Sequence, residues 1–187
     1  MMATPVVPSI HTLFEPTNGT WQYVVAYPNI SQAAIIDPVL NVNAATNELG
    51  TKSADEILAL VKEKEYNVTY LLETHVHAGH LTAANYLEGQ LEESSGQRPK
   101  TCIGKRIKDA QARFSGRFGI PAVELEAAFD HLCDDGEKFL SDICSVRSFY
   151  LPGHTLDHIG YMIGENVFAG DSIFNPDVGS ARCDFPG

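Results

Sequence analysis

The sequence predicts a layered α/β domain, and three features point to it. Short β-rich runs open the chain, amphipathic helical repeats alternate with short apolar strands through its middle, and a hairpin pattern lies near its end. At 187 residues the chain can bury a full core, and 1–187 is expected to form a single domain.

The elements follow in order. Residues 9–15, 21–27 (WQYVVAY) and 33–37 (AAIID) are β-rich and separated by the turn clusters PTNG and PNIS, which predicts an antiparallel meander. A helix comes next. Ser53 and Glu56 have capping-box spacing, and Ala54, Ile57, Leu58 and Val61 repeat on one face. The segment VTYLLE (68–73) is nearly continuously apolar, as in a strand covered on both faces.

A second helix carries Ala83, Leu87 and Leu91 on one side. Residues 92–100 are expected to be a polar loop, followed by a short strand at Cys102-Ile103. A helix over about 105–118 should carry Ile107, Ala110, Phe114 and Phe118 on one side. Residues 143–150 read as a strand, and GYMIGENVFAGD as a hairpin turning at Gly164-Glu165-Asn166 and ending at Asp171.

Composition excludes several classes of partner. The net charge of -11 repels phosphate backbones and anionic lipid, which argues against nucleic acid and membrane as partners. No apolar run is long enough to span a bilayer. The first residues show neither a secretory nor an arginine-rich transit pattern, so cytosol is the expected compartment. The four cysteines are scattered and read as free thiols. Without a secretory signal, the sequons at Asn18, Asn29 and Asn67 read as chance.

The densest chemistry lies in LETHVHAGH, where His75, His77 and His80 fall within six positions at the carboxyl end of a predicted strand. Spacings of two and five cannot share one helical face, but a loop leaving a strand can fold them toward one point. Neutral imidazole is the commonest metal ligand, and open α/β sheets gather ligands outside the carboxyl ends of their strands. A lone histidine is more often a packing residue; three together favour a metal. PGHT places His154 in a tight turn after another strand, and AGDS places Asp171 after a third. Each is weak alone, and together they are specific.

These segments resemble the metallo-β-lactamase superfamily, and within it the persulfide dioxygenases. The resemblance is carried by THVHAGHLTAANYL, IGKRIKDAQARF, LPGHTLDHIGY and FAGDSIFNPDVGSARCDFPG. It implies an αββα sandwich with the metal at one sheet edge. It also implies a domain that continues past residue 187, so the chain is expected to be C-terminally truncated relative to the family.

In the two-zinc hydrolases of that superfamily, one metal uses the positions of His75, His77 and His154. The second uses the position of Gly79, His80 and a later histidine, with that of Asp171 bridging. Gly79 offers no side chain, which leaves a second metal few ligands. The persulfide dioxygenases are similar in fold but hold one ferrous ion, on positions matching His75, His154 and Asp171. The resemblance therefore implies one Fe(2+) per chain, with Zn(2+) as the alternative. It places His77 and His80 beside the metal and gives Arg182 to the anionic substrate, a salt bridge to Asp177 or Asp184 being the competing assignment. An aspartate usual at the position of Gly79 would orient neighbouring groups, and its loss weakens such a site by about 10- to 100-fold.

The implied reaction oxidises glutathione persulfide with O₂ to sulfite and glutathione. The implied partners are thus a small thiol persulfide and O₂, with a homodimer left open. Many relatives are mitochondrial, which keeps that compartment open too. Two other readings compete: a zinc thioester hydrolase of the glyoxalase II kind, and a non-catalytic paralogue. His11 and His131 read as structural, His158 as mainly packing, Tyr161 and Phe174 as core, and Cys183 as an inert thiol.

Overall fold

The computed structural model describes residues 7–27, 30–43, 45–76, 81–139, 145–174 and 176. The chain opens with strands β1 (Ser9–Glu15), β2 (Thr20–Tyr27) and β3 (Gln32–Ile36), the expected antiparallel meander. A small hairpin follows, β4 (Asn41–Asn43) and β5 (Glu48–Gly50), which the sequence pattern did not reveal. Then come α1 (Lys52–Glu63), β6 (Asn67–Leu72), α2 (Ala84–Ser95), β7 (Lys100–Gly104), α3 (Ile107–Phe118), α4 (Ala122–Glu126) and β8 (His131–Cys133). The last strands are β9 (Lys138–Phe139), β10 (Val146–Tyr150), β11 (Ile159–Ile163) and β12 (Asn166–Phe168).

Two sheets face each other. The first has the order β1-β2-β3-β6-β7-β8, antiparallel through β3 and parallel from β3 to β8. The second has the order β12-β11-β10-β9 and is antiparallel throughout. Alternation along β2 and β3 divides the core in two. Val24, Ala26, Ala33 and Ile35 face α1 and α2, meeting Ile57, Val61, Leu87 and Leu91. Val25, Tyr27, Ala34 and Ile36 face the second sheet, meeting Val146, Ile159, Tyr161 and Ile163. Burying each such aliphatic side chain contributes about 1.5–3 kcal/mol. These layers are the helix–sheet–sheet part of the expected αββα sandwich.

Several local expectations change. Helix α1 starts before Ser53, with Thr51 as its N-cap. The Asn41 side chain accepts from the Ser53 N–H at 2.9 Å and donates to its hydroxyl, so Ser53 is occupied by β4 rather than capping the helix. Helix α2 runs through Glu92, Glu93 and Ser94 to Ser95, and Gly96 at φ 73° ends it, so the polar loop is shorter than expected. Helix α3 begins at Ile107, and its Phe118 is exposed, stacked on Phe114 rather than buried. Phe174 is half-buried, whereas Tyr161 is fully buried. Of the expected strand 143–150, the first residues lie outside the described set. Among the described residues no helix is long and apolar enough to cross a membrane.

Candidate metal centre

Strand β6 delivers its last residues to the edge between the two sheets. The Glu73 N–H donates to the carbonyl of Cys102, and the Ile159 N–H donates to the carbonyl of Thr74, both at 2.9 Å. The strand is thereby pinned on one side by its own sheet and on the other by the second. His75 leaves this anchored end. Just after β3, Asp37 accepts from the Thr74 N–H at 2.7 Å and from the Thr74 hydroxyl at 2.9 Å. The same hydroxyl oxygen lies 2.9 Å from His75 Nδ1.

His154 comes from the turn between β10 and β11. A bond from the Leu151 N–H to the carbonyl of His158 at 2.9 Å closes the base of that turn. Asp157 in the same turn accepts from the Val76 N–H at 3.3 Å, tying the two histidine-bearing segments together. Asp171 was expected at the end of a strand. Instead β12 stops at Phe168, and Asp171 sits in a one-turn 3₁₀ helix, Gly170–Ser172. The Ser172 hydroxyl lies 3.3 Å from the Leu151 carbonyl and 2.9 Å from His158 Nδ1, which holds this turn against the His154 turn. Gly170 has φ 48°, and a Cβ there would come within 2.9 Å of Thr74 Cβ and 3.0 Å of His158 Nε2. Only glycine lets the Asp171 turn approach β6 this closely.

The result is a compact donor set. One carboxylate oxygen of Asp171 lies 3.7 Å from His75 Nε2 and 3.6 Å from His154 Nε2. All three ligand atoms fall within 4.8 Å of one another. The two imidazoles stand nearly perpendicular, at 82° with centroids 5.1 Å apart. Both rings are buried, and the Asp171 side chain is 31% exposed. With metal–ligand bonds of about 2.1 Å, tetrahedral or octahedral geometry sets neighbouring donors roughly 3.0–3.4 Å apart. The two carboxylate-to-nitrogen spacings are a few tenths wider than this. Two imidazoles and a carboxylate on one side of a point fit a divalent cation that keeps open positions toward solvent.

Two buried carboxyls lie behind the donors. Burial pushes Asp37 up to about 7, against hydrogen bonds from Thr74 that pull it down. Burial also pushes Glu73 up to about 8, with the neighbouring Asp37 charge adding to the shift and a hydrogen bond from Thr82 opposing it.

The structure thus brings together His75, His154 and Asp171. His77, His80, Gly79, Arg182 and Cys183 lie outside the described residues. His158 is fully buried and does more than fill space: its ring lies 4.5 Å from that of His75, and its Nδ1 holds Ser172. His11 and His131 are remote from the site, bonded to Tyr66 and Glu137 respectively. Sequence reading missed Asp37 and Thr74. Their signal was faint: an aspartate ending the strand AAIID, and a threonine directly before the first histidine of the cluster.

No protein-family model matches the chain. A β-lactamase hydrolase-like protein of Xylella fastidiosa is 37% identical over 181 residues, covering 96% of this chain and 41% of that protein. Glyoxylase B2 of Dictyostelium discoideum is 37% identical over 175 residues, covering 92% of this chain and 58% of that protein. The mitochondrial persulfide dioxygenase ETHE1 of Bos taurus is 24% identical over 178 residues, covering 94% and 56%. Among solved structures, ETHE1 from Myxococcus xanthus superposes with a TM-score of 0.66 at 25% identity, covering 95% of this chain and 62% of that one. The chain spans 41% to 58% of the length of these curated relatives.

Proposed function

The chain belongs to the metallo-β-lactamase superfamily, and from that premise we propose that it carries a mononuclear metal centre and acts as a persulfide dioxygenase. The observation behind this reading is the convergence of two buried imidazoles and one partly exposed carboxylate on a single point. That is the 2-His-1-carboxylate arrangement associated with non-haem Fe(II) oxygen chemistry.

In this reading His75, His154 and Asp171 hold one ferrous ion. A ferrous ion there supplies the redox chemistry between a persulfide sulfur and O₂ that protein side chains lack. The overall change is persulfide plus O₂ plus water to thiol plus sulfite and two protons. The chain's own groups bind and orient. The buried rings of His75 and His154 close the inner side of the centre to water, while Asp171 leaves the outer side open. Val76, Leu156 and Ile173, each within two residues of a donor, are exposed and give the approach an apolar rim. Arg182, His77 and His80 are assigned by resemblance alone, to the anionic end of glutathione persulfide and to groups beside the metal.

A second reading is a zinc-dependent thioester hydrolase. The hydrolase-like and glyoxylase names of relatives at 37% identity favour it over a persulfide dioxygenase at 24%. It would use His75, His77 and His154 with an activated water. Gly79 counts against a dinuclear form of it, because the second zinc of those hydrolases takes a carboxylate at that position.

The test is elemental analysis of anaerobically purified protein together with O₂ uptake and sulfite release on adding glutathione persulfide. About one iron per chain with oxygen consumption supports the dioxygenase. Zinc without oxygen uptake selects the hydrolase, and protein that retains no metal overturns both.

A further inference from the structure

We propose that Thr74 and Asp37 are positioning residues that lock the tautomer of His75, holding its proton on Nδ1 so that Nε2 presents a lone pair to the metal. The Thr74 hydroxyl carries one proton and lies 2.9 Å from both Asp37 Oδ2 and His75 Nδ1. At pH 8.5, above the value of about 7 to which burial raises Asp37, its carboxylate is ionised and only accepts, so the hydroxyl proton goes to Asp37. The oxygen of Thr74 is then left as an acceptor, and His75 Nδ1 must donate to it. Nε2, on the opposite side of the ring, lies 3.7 Å from the Asp171 carboxylate.

Three further features hold this line rigid. The Thr74 N–H donates to the other oxygen of Asp37 at 2.7 Å, so the carboxylate grips both backbone and side chain of one residue. All three residues are buried, so water does not compete for these bonds. The Asp37 N–H is itself bonded to the carbonyl of Leu72 at 2.9 Å, which fixes the carboxylate's origin on β6's neighbour. Ligand histidines are commonly oriented by a carboxylate or carbonyl bonded directly to the other ring nitrogen. Here a hydroxyl stands between, and the buried acid acts through it.

The inference rests on the metal reading but not on the reaction. It is tested on the 187-residue chain, metal-free and at pH 8.5, by long-range proton–nitrogen NMR of ¹⁵N-histidine-labelled protein. The expected spectrum shows His75 with its proton on Nδ1. Thr74→Val removes the acceptor, and His75 should move to the Nε2 tautomer that imidazole prefers in water. Thr74→Ser keeps the hydroxyl and should keep the wild-type pattern. Zinc affinity, read by competition with a chromophoric chelator, should fall about 10- to 100-fold in Thr74→Val and in Asp37→Asn. It should stay within roughly 3-fold in Thr74→Ser. Circular dichroism establishes that each variant is folded.

A wild-type spectrum with the proton on Nε2 overturns the proposal, whether or not any variant folds. So does a folded Thr74→Val protein with wild-type affinity. Failure of the wild type to bind zinc or ferrous ion overturns the metal centre itself, a different outcome from loss of the lock alone.

Discussion

The Tyr161 hydroxyl, on β11 of the second sheet, donates to the carbonyl of Glu73 on the first at 2.9 Å. It crosses the sandwich two residues before His75 in the chain, in a fully buried position. The bond joins the strand that bears one histidine to the hairpin that follows the other. Tyr161→Phe keeps the ring packing and leaves the carbonyl unsatisfied. A loss of about 1–2 kcal/mol is expected in urea denaturation, the usual range for one buried bond of this kind.

His154 supplies one of the two buried nitrogen donors. His154→Ala should lower bound metal from about one to below about 0.1 per chain by elemental analysis, because a carboxylate and one imidazole hold a divalent ion poorly. Unchanged metal content in that variant would sink the site assignment.

Gly170 is where the Asp171 turn passes closest to β6. Its φ of 48° and the nearness of Thr74 and His158 leave no room for a methyl group. Gly170→Ala should destabilise the fold by about 1–3 kcal/mol. It should also weaken metal binding, since the turn must retreat and carry Asp171 with it. Calorimetry on the metal-free and metal-loaded protein reads both effects.

Glu73 and Asp37 set a pH dependence for the metal-free chain. Their ordinary values are 4.5 and 3.8, and burial raises them to about 8 and about 7. The folded state therefore binds more protons than the unfolded state between roughly pH 4 and 8. Stability from this source is present in full below pH 4 and is lost as pH rises through the folded values. Glu73→Gln keeps an acceptor for Thr82 and removes one ionisation. The fall in Tm between pH 5 and 8 should shrink by about 5 °C or more relative to wild type. An identical slope in the variant argues that Glu73 is already ionised in the folded chain.

The elements that were legible in the sequence are those whose pattern is local. The meander through Tyr27, the apolar face of Ile57 and Val61, and the hairpin turning at Gly164 each reflect a two-residue or 3.6-residue period read from neighbours along the chain. His75, His154 and Asp171 were legible as candidates, with His77 and His80, because each follows a predicted strand and strand ends of one layered domain lie near one edge; the choice of these three came from the family resemblance. The start of α1 was not legible, because Asn41, twelve residues away from Ser53, took the bonds that a cap would have made. The exposure of Phe118 was not legible either, since periodicity marks a face without saying whether anything lies opposite.

By itself the sequence determined the residue types available for a metal and the strands that end beside them. Tertiary structure alone decided which of those residues meet. The spacing of Asp171 from two histidines depends on a glycine that admits its turn, on a serine held by His158, and on two sheets pinned through Thr74 and Tyr161. It also decided that Asp37, 38 positions before His75 in the chain, stands one hydroxyl away from its ring. The reason is physical: hydrogen bonds and close contacts act over a few ångströms of space, and only the folded arrangement of the strands sets those distances.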